Sequence, residues 1–370
     1  MRAATPLSRL PNLYLGTMTF SWNGQTSSHV NDSIASQMLN TFIDSHGEGV
    51  PIRIDTARIY AGGDSERMLG CALAKSTKGS KSDNLFIGTK AHPSQPHGLS
   101  PSGIRFQLQN SLDAMQLTSV GDYYLHQPDT EHSLLDSLVT LNELIEEGKI
   151  SSIGMSNYHV SEVERAFHLC TEHNLPHRPS VYQGLYNPLN RVVEEELLPV
   201  LKRNNCAFVA YNPLAGGLLT GKHAASGEVK DGRFKNNPNY LPRFYTSSNF
   251  RALEVIRQAC EVDGLSMVEA TYRWLMHHSA LAEGDGILIG ASSLSQLNEN
   301  LGCCLRARGD VGDEMQCLSP NVISAFEQAW GIIKEESDDG PFPYWRSYSS
   351  DMPGRDSLDQ GASYNAEKAK

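Results

Sequence analysis

Four residues of this chain have the types and spacing to move a proton at a carbonyl oxygen: Asp55, Tyr60, Lys90 and His126. Asp55 lies near the end of the strand-like run Ile52–Ala57, Tyr60 follows in a loop, and a helix is entered at Asp64 or Ser65. A tyrosine that donates a proton near neutral pH needs its pKa of about 10 lowered, usually by a nearby cation. Lys90, from the run Leu85–Ala91, is a candidate cation, and the Asp55 carboxylate a candidate to hold it. His126, closing Tyr123–His126, is a candidate second hydrogen-bond donor to the same oxygen. Each has a plainer account alone: Asp55 as a turn residue or N-cap, Lys90 as a lysine snorkelling from a strand end, His126 as a core histidine, Tyr60 as an amphipathic loop residue. Together they make a circuit, with Tyr60 as general acid and His126 completing an oxyanion-type pocket. Such a circuit suits reduction of a carbonyl. The sequence shows no metal-binding constellation, so the hydride source is expected to be organic.

The elements that must position these residues alternate along the chain. Strand-like runs fall at Leu13–Phe20, Ile52–Ala57, Leu85–Ala91, Tyr123–His126, Ile150–Asn157, Val181–Tyr186, Ala207–Pro213 and Ile287–Ala291. Helical patterns follow them at Asp32–Ser45, Ser65–Ala74, Gly103–Gln116, Ser133–Gly148, Val160–His173, Glu194–Arg203, Phe250–Val262 with Met267–His277, and Leu294–Leu301. In the third of these, Ile104, Leu108, Leu112 and Met115 keep one helical face. A last amphipathic helix is expected over Val322–Glu335. Strands joined in this way pair in parallel and need cover on both faces. Eight units predict a (β/α)8 TIM barrel, an α/β architecture of about 250 residues plus insertions. The doubly wound alternative carries G-x-G-x-x-G after its first strand; here that place reads Ser21-Trp22-Asn23-Gly24-Gln25. Residues 1–336 are therefore expected to form one barrel domain, and the polar tail 337–370 to be irregular, with its cluster Phe342-Pro343-Tyr344-Trp345 packing on the barrel.

Barrel chemistry sits at the C-terminal ends of the strands. Beside the first four residues, those ends offer Ser156 and Asn157, Gln183, Tyr211 and Asn212, and Ser292. The loop Tyr211-Asn212-Pro213-Leu214-Ala215-Gly216-Gly217-Leu218-Leu219-Thr220-Gly221-Lys222 opens on an aromatic suited to stacking and continues with small residues that let backbone approach a ligand. Lys222 and Arg233 are candidates to reach phosphate groups. Ser292-Ser293-Leu294-Ser295-Gln296 opens a helix whose hydroxyls and N-terminus suit an adenosine phosphate; a simple N-cap would look the same.

Composition narrows the class. The chain has 370 residues, 39% hydrophobic and 20% charged, and a net charge of -11. That balance suits a globular protein and argues against nucleic-acid binding. Its seven cysteines lack C-x-x-C spacing and are expected to be reduced thiols. No apolar run approaches the roughly 20 residues of a membrane span, and no targeting signal shows, so a cytoplasmic location without a membrane partner is expected.

The runs Gly16-Thr17-Met18, Asp55-Thr56-Ala57 with Tyr60, Thr89-Lys90-Ala91, Leu125-His126 with Pro128-Asp129, and Ser156-Asn157-Tyr158 resemble the aldo-keto reductase superfamily. Val181-Tyr182-Gln183-Gly184, the Asn212–Lys222 loop, Gly232-Arg233-Phe234 and Ser292-Ser293-Leu294 look like its aflatoxin-aldehyde reductase branch, which also reduces succinic semialdehyde. The likeness covers residues 10–335. It implies a barrel that binds NADPH/NADP+ in extended form, with Tyr60 as proton donor and Asp55, Lys90 and His126 completing a tetrad. It implies that Ser156, Asn157 and Gln183 hold the carboxamide and that Tyr211 stacks on the nicotinamide. The loop from Asn212 to Lys222, with Pro213, Leu214, Gly216 and Leu218, would cover the pyrophosphate. Arg233 and the segment Ser292–Asn300, including Gln296 and Asn300, would meet the adenosine 2′-phosphate end. Tyr240 and Arg243 look like the branch's substrate residues, the arginine favouring acidic aldehydes.

The chain departs from the branch in three places: a shorter segment between Arg233 and Tyr240, a longer tail beyond Ser337, and a different loop Ser21–His29. The expected reaction is NADPH-dependent reduction of a small-molecule aldehyde or ketone, in detoxification or specialised metabolism. The same residues serve alcohol oxidation in reverse. A regulatory alternative is a cofactor-binding subunit resembling potassium-channel β subunits, which also belong to this superfamily. Members of the branch commonly dimerise, so a homodimer is one expected state.

Overall fold

In the computed structural model, eight parallel strands close into a barrel in sequence order. They are β1 (Asn12–Gly16), β2 (Ile52–Asp55), β3 (Leu85–Ala91), β4 (Val120–Leu125), β5 (Ile150–Ser156), β6 (Pro179–Leu185), β7 (Ala207–Tyr211) and β8 (Gly286–Gly290). The helices are α1 (Asp32–Asp44), α2 (Asp64–Ser76), α3 (Pro101–Met115), α4 (Leu134–Glu146), α5 (Val160–Glu172), α6 (Leu197–Arg203), α7 (Leu241–Phe244), α8 (Ser247–Val262), α9 (Met267–His277), α10 (Leu294–Arg308) and α11 (Pro320–Glu336). The structure describes residues 10–22, 28–76, 84–223, 233–235, 237, 240–309, 317–337, 340–359 and 361–362. Residues 23–27 of the loop after β1, Gly232 of the Gly-Arg-Phe run and residues 363–370 of the tail lie outside the described residues. All seven cysteines are free. Among the described residues no helix is long and apolar enough to cross a membrane.

Two apolar bodies hold the barrel. The larger lies between strands and helices and includes Leu15, Ile54, Leu125, Phe208 and Trp274. The smaller fills the barrel interior with Tyr14, Tyr124, Val181 and Val209. Tyr124 can lie across the interior because β5 has Gly154 beside it; a Cβ there would collide with the Tyr124 ring. Helix starts follow the expected chemistry. Ser100, Ser133, Thr246, Ser266, Ser293 and Ser319 each accept a first-turn N–H, satisfying a donor that the helix itself cannot.

Several boundaries differ from the sequence reading. The fourth strand begins three residues earlier, at Val120. Gly121-Asp122 reads as a turn signal, yet Asp122 points into the barrel, where Ser152 Oγ and Tyr124 Oη donate to it. The first strand stops at Gly16 because the chain then turns, with Phe20 N–H donating to Thr17 O at 2.9 Å. Helix α10 continues past Gly302 to Arg308, since its left-handed terminus is Gly309, with φ 79°. The expected helix Glu194–Arg203 divides into a 3-10 turn at Val192–Glu194 and α6.

The tail carries one 3-10 turn, Arg355–Ser357, and no longer element among its described residues. Tyr344 is nevertheless buried in the main core, and Tyr348 and Ser349 are buried too.

Candidate active site

Register brings the strand-end residues to one rim. Asp55 pairs with Gly88, Lys90 with Tyr124, Ser156 with Gln183, and Leu185 with Tyr211. Lys90 follows Gly88 by two residues and so shares its side of the sheet. From there its Nζ donates to both Asp55 carboxylate oxygens and to Thr56 O, each at 2.7 Å. An ammonium has three donors, and these three acceptors take them all. Gln183 Nε2 adds a 2.8 Å bond to Asp55 Oδ1. The pair is dry, with Lys90 0% and Asp55 2% exposed. Burial pushes the Lys90 ammonium below the ordinary lysine range, opposed mainly by Asp55.

Above this pair, Tyr60 is positioned by a 3-10 turn, Tyr60–Gly63, that links β2 to α2. Lys90 Nζ lies 5.2 Å from the centre of the Tyr60 ring. With its N–H donors placed elsewhere, Lys90 acts on Tyr60 through its field. His126 stands edge-on to Tyr60, ring centres 5.8 Å apart. Burial, aided by His92 and Lys90, holds the His126 imidazole well below its usual range, so it is neutral. Its Nδ1 is buried without a hydrogen-bond partner among the described residues.

A cavity of about 660 Å³ opens over Tyr60 and His126. Ser156, Asn157, Gln183, Tyr211, Asn212, Pro213, Leu214, Gly216 and Lys222 line it, as do Arg233, Tyr240, Arg243, Ser292, Gln296 and Asn300. Asn157 is in the left-handed region at φ 62°, its Nδ2 donating to His126 O and its Oδ1 accepting from Tyr211 Oη. Burial raises the Tyr211 phenol to about 12 against the pull of Arg243. After Tyr211 the backbone takes positive φ at Asn212, Ala215, Gly216, Gly217 and Gly221, curling the loop along the cavity wall. Ser293, rather than Ser292, caps α10, while Gln296 Oε1 accepts from both the N–H and the hydroxyl of Ser292.

Two placements qualify the sequence reading. Leu218 turns away from the cavity and is wholly buried in the main core, where its apolar side chain is fully removed from water. Lys90 lies beneath the cavity floor rather than on it. The sequence reading also missed several lining residues: Trp22, His92, Gln127 and Arg346. His92 lies just past the end of β3 and was open to the same strand-end rule. Arg346 comes from the tail, and no local pattern marks it.

Arg243 and Arg233 differ in setting. Arg243 is 6% exposed, and its Nε and Nη2 are buried without hydrogen-bond partners among the described residues. Arg233 holds its guanidinium 5.7 Å from the Trp22 ring and 5.2 Å from the Tyr240 ring. Unsatisfied buried guanidinium nitrogens and a loop of backbone curled at glycines fit an elongated anionic ligand.

A parallel barrel with a buried Lys–Asp pair beneath a tyrosine and a neutral histidine is the architecture of a carbonyl oxidoreductase. Residues 12–309 match the model of the aldo/keto reductase family, and the chain belongs to that family. It is 35% identical over 347 residues to aflatoxin B1 aldehyde reductase member 2 of Rattus norvegicus, covering 90% of this chain and 89% of the relative. Aldo-keto reductase family 7 member A3 of Homo sapiens is 39% identical over 295 residues, 76% of this chain and 86% of the relative. A fungal relative, aldo-keto reductase pigE of Monascus ruber, is 33% identical over 351 residues, 90% of this chain and 98% of the relative. The chain is thus an oxidoreductase that acts on carbonyl groups with a nicotinamide cofactor.

Proposed function

We propose that the protein reduces an aldehyde or ketone with NADPH, Tyr60 giving the proton to the carbonyl oxygen. The observation that carries this reading is the dry Asp55–Lys90 pair set directly beneath Tyr60. Tyr60 loses a proton as the alcohol forms, and the Lys90 cation stabilises the charge left on its oxygen. Asp55 and Gln183 keep that cation in place. Neutral His126 offers its Nε2–H to the same carbonyl oxygen, which fixes the carbonyl's direction. When bound, the cofactor supplies the hydride.

Ser156, Asn157 and Gln183 are assigned to the carboxamide, Tyr211 to stacking, and the 212–222 loop to the pyrophosphate, Leu218 acting only as its apolar anchor. Arg233 with Ser292, Gln296 and Asn300 is assigned to the 2′-phosphate. Tyr240, Arg243 and Arg346, which also line the cavity, are assigned to the substrate. Two guanidiniums in one cavity favour aldehydes that carry a carboxylate.

The test is NADPH oxidation against aromatic, dicarbonyl and semialdehyde substrates, with Tyr60→Phe beside the wild type. A general acid contributes roughly 10²–10⁴-fold, so the variant should lose about that much turnover while NADPH still quenches its fluorescence. Unchanged turnover would remove Tyr60 from the role. Tight NADPH binding without turnover of any substrate would instead favour a cofactor-sensing protein.

A further inference from the structure

The tail crosses the same rim as the catalytic residues. Asn190 Nδ2 donates to Phe342 O at 2.8 Å, and Val160 N–H donates to Tyr344 Oη at 3.1 Å. Arg346 N–H then donates to Asn157 O at 3.0 Å, and the Arg346 side chain lines the cavity. Beyond Arg346 the chain is fastened again. Ser349 N–H donates to the buried Glu162, and Ser350 N–H donates to Asp129 O at 2.9 Å. Asp351 accepts from Leu134 N–H at 3.1 Å and Ser133 Oγ at 2.9 Å, and pairs with Arg165 at 2.7 Å. Arg355 Nη1 donates to Thr130 O at 2.9 Å.

We infer that residues 342–355 are a strap that positions Arg346 at the substrate wall and pins Asn157, with Asp351 as its principal anchor. The inference rests on the reductase reading for its effect on substrate, and on geometry alone for the strap. Asp351 suits the part for a physical reason. Leu134 N–H is a first-turn donor of α4 with no partner inside its helix, and a carboxylate is favoured at a helix N-terminus. Asp351 meets that donor and the N-cap hydroxyl of α4, and through Arg165 it also grips α5. Helix α4 follows the loop from β4, which carries His126, and α5 follows the turn from β5, which carries Asn157. One carboxylate therefore ties the start of α4 to α5, the two helices that follow the strands next to the reacting centre. Arg346 lies between the Tyr344 fastening and the Ser349–Asp351 fastenings. Its reach into the cavity is set at both sides, which lowers the cost of ordering a long side chain on a substrate carboxylate.

Asp351 is thus a positioning residue, and its removal is expected to affect anionic substrates selectively. The experiment compares KM and kcat for a carboxylate-bearing aldehyde and its neutral ester in wild type, Asp351→Ala and Asp351→Asn. Asp351→Ala should raise KM for the acid about tenfold and leave the ester within about twofold, with kcat little changed on both. Asp351→Asn keeps an acceptor for Leu134 N–H and Ser133 and should recover part of the loss. An acid-to-ester KM ratio equal to wild type in a folded Asp351→Ala protein would overturn the inference. Should Asp351→Ala fail to fold, the half-buried Arg355→Met must shift the same ratio in the same direction, and an unchanged ratio overturns the inference. Amide exchange gives a reading independent of catalysis. The Arg346 N–H should lose protection in Asp351→Ala, and unchanged protection refutes the strap even if the wild type turns over no aldehyde.

Discussion

The Asp55–Lys90 pair can be tested as a stability element separately from its proposed part in catalysis. Lys90→Met would leave the Asp55 carboxylate, 2% exposed, with Gln183 Nε2 as its remaining side-chain donor. Asp55→Asn would leave a wholly buried ammonium without the group that most favours its charge. Removing one partner of a buried pair costs about 3–5 kcal/mol, whereas replacing both with uncharged groups of similar size is often nearly neutral. Each single variant should therefore lose about 3–5 kcal/mol, and Asp55→Asn/Lys90→Met should stay within about 2 kcal/mol of wild type. The expected coupling energy is about 3 kcal/mol or more. Urea unfolding followed by far-ultraviolet dichroism and by tryptophan fluorescence measures it, with coincident transitions as the condition for a free-energy comparison. All three variants should lose turnover. The double variant should thus be stable and inactive, a combination that general damage to the barrel does not produce. Single losses that add to within about 0.5 kcal/mol of the double would refute the reasoning.

Two further expectations concern the cofactor and pH. Arg233→Ala should raise the KM for NADPH at least tenfold and leave that for NADH nearly unchanged; an equal effect on both would detach Arg233 from the 2′-phosphate. Burial lowers the His92 imidazole to about 4 from an ordinary 6.5, and its Nδ1 accepts from Ser94 N–H at 3.1 Å, a bond that charging would break. The unfolded chain takes up a proton below about pH 6.5 and the native protein only near pH 4, so stability should fall as pH drops through that window. His92 would contribute on the order of 3 kcal/mol of that loss. His92→Asn should flatten the slope of unfolding free energy between pH 4 and 6.5, and a slope equal to wild type would sink the assignment.

Much of the protein was legible in its sequence because the signals are local. A parallel strand buried on both faces must be a short apolar run, and its helix must repeat at 3.6 residues. Eight such units imply the barrel, and the barrel implies that polar residues at strand ends face one rim. Asp55, His126, Asn157, Gln183 and Tyr211, singled out by that rule, line one cavity, and Lys90 lies directly beneath it. Strand bounds and side-chain directions were less legible. Gly121-Asp122 has the composition of a turn, but Asp122 is satisfied inside the barrel by Ser152 and Tyr124. Leu218 lies in a loop aimed at the cavity, yet its side chain turns to the core.

The sequence by itself therefore determined which elements form and which strand ends meet at the cavity. Only the tertiary structure decided which groups touch. All three Lys90 donors go to Asp55 and Thr56, a count that depends on the reach of side chains across neighbouring strands. Arg346 enters a cavity whose floor was laid down nearly 300 residues earlier, at Asp55 and Tyr60. No periodicity encodes that approach, because it arises from hydrogen bonds between an irregular tail and two helix starts. Those bonds exist only after the barrel has closed.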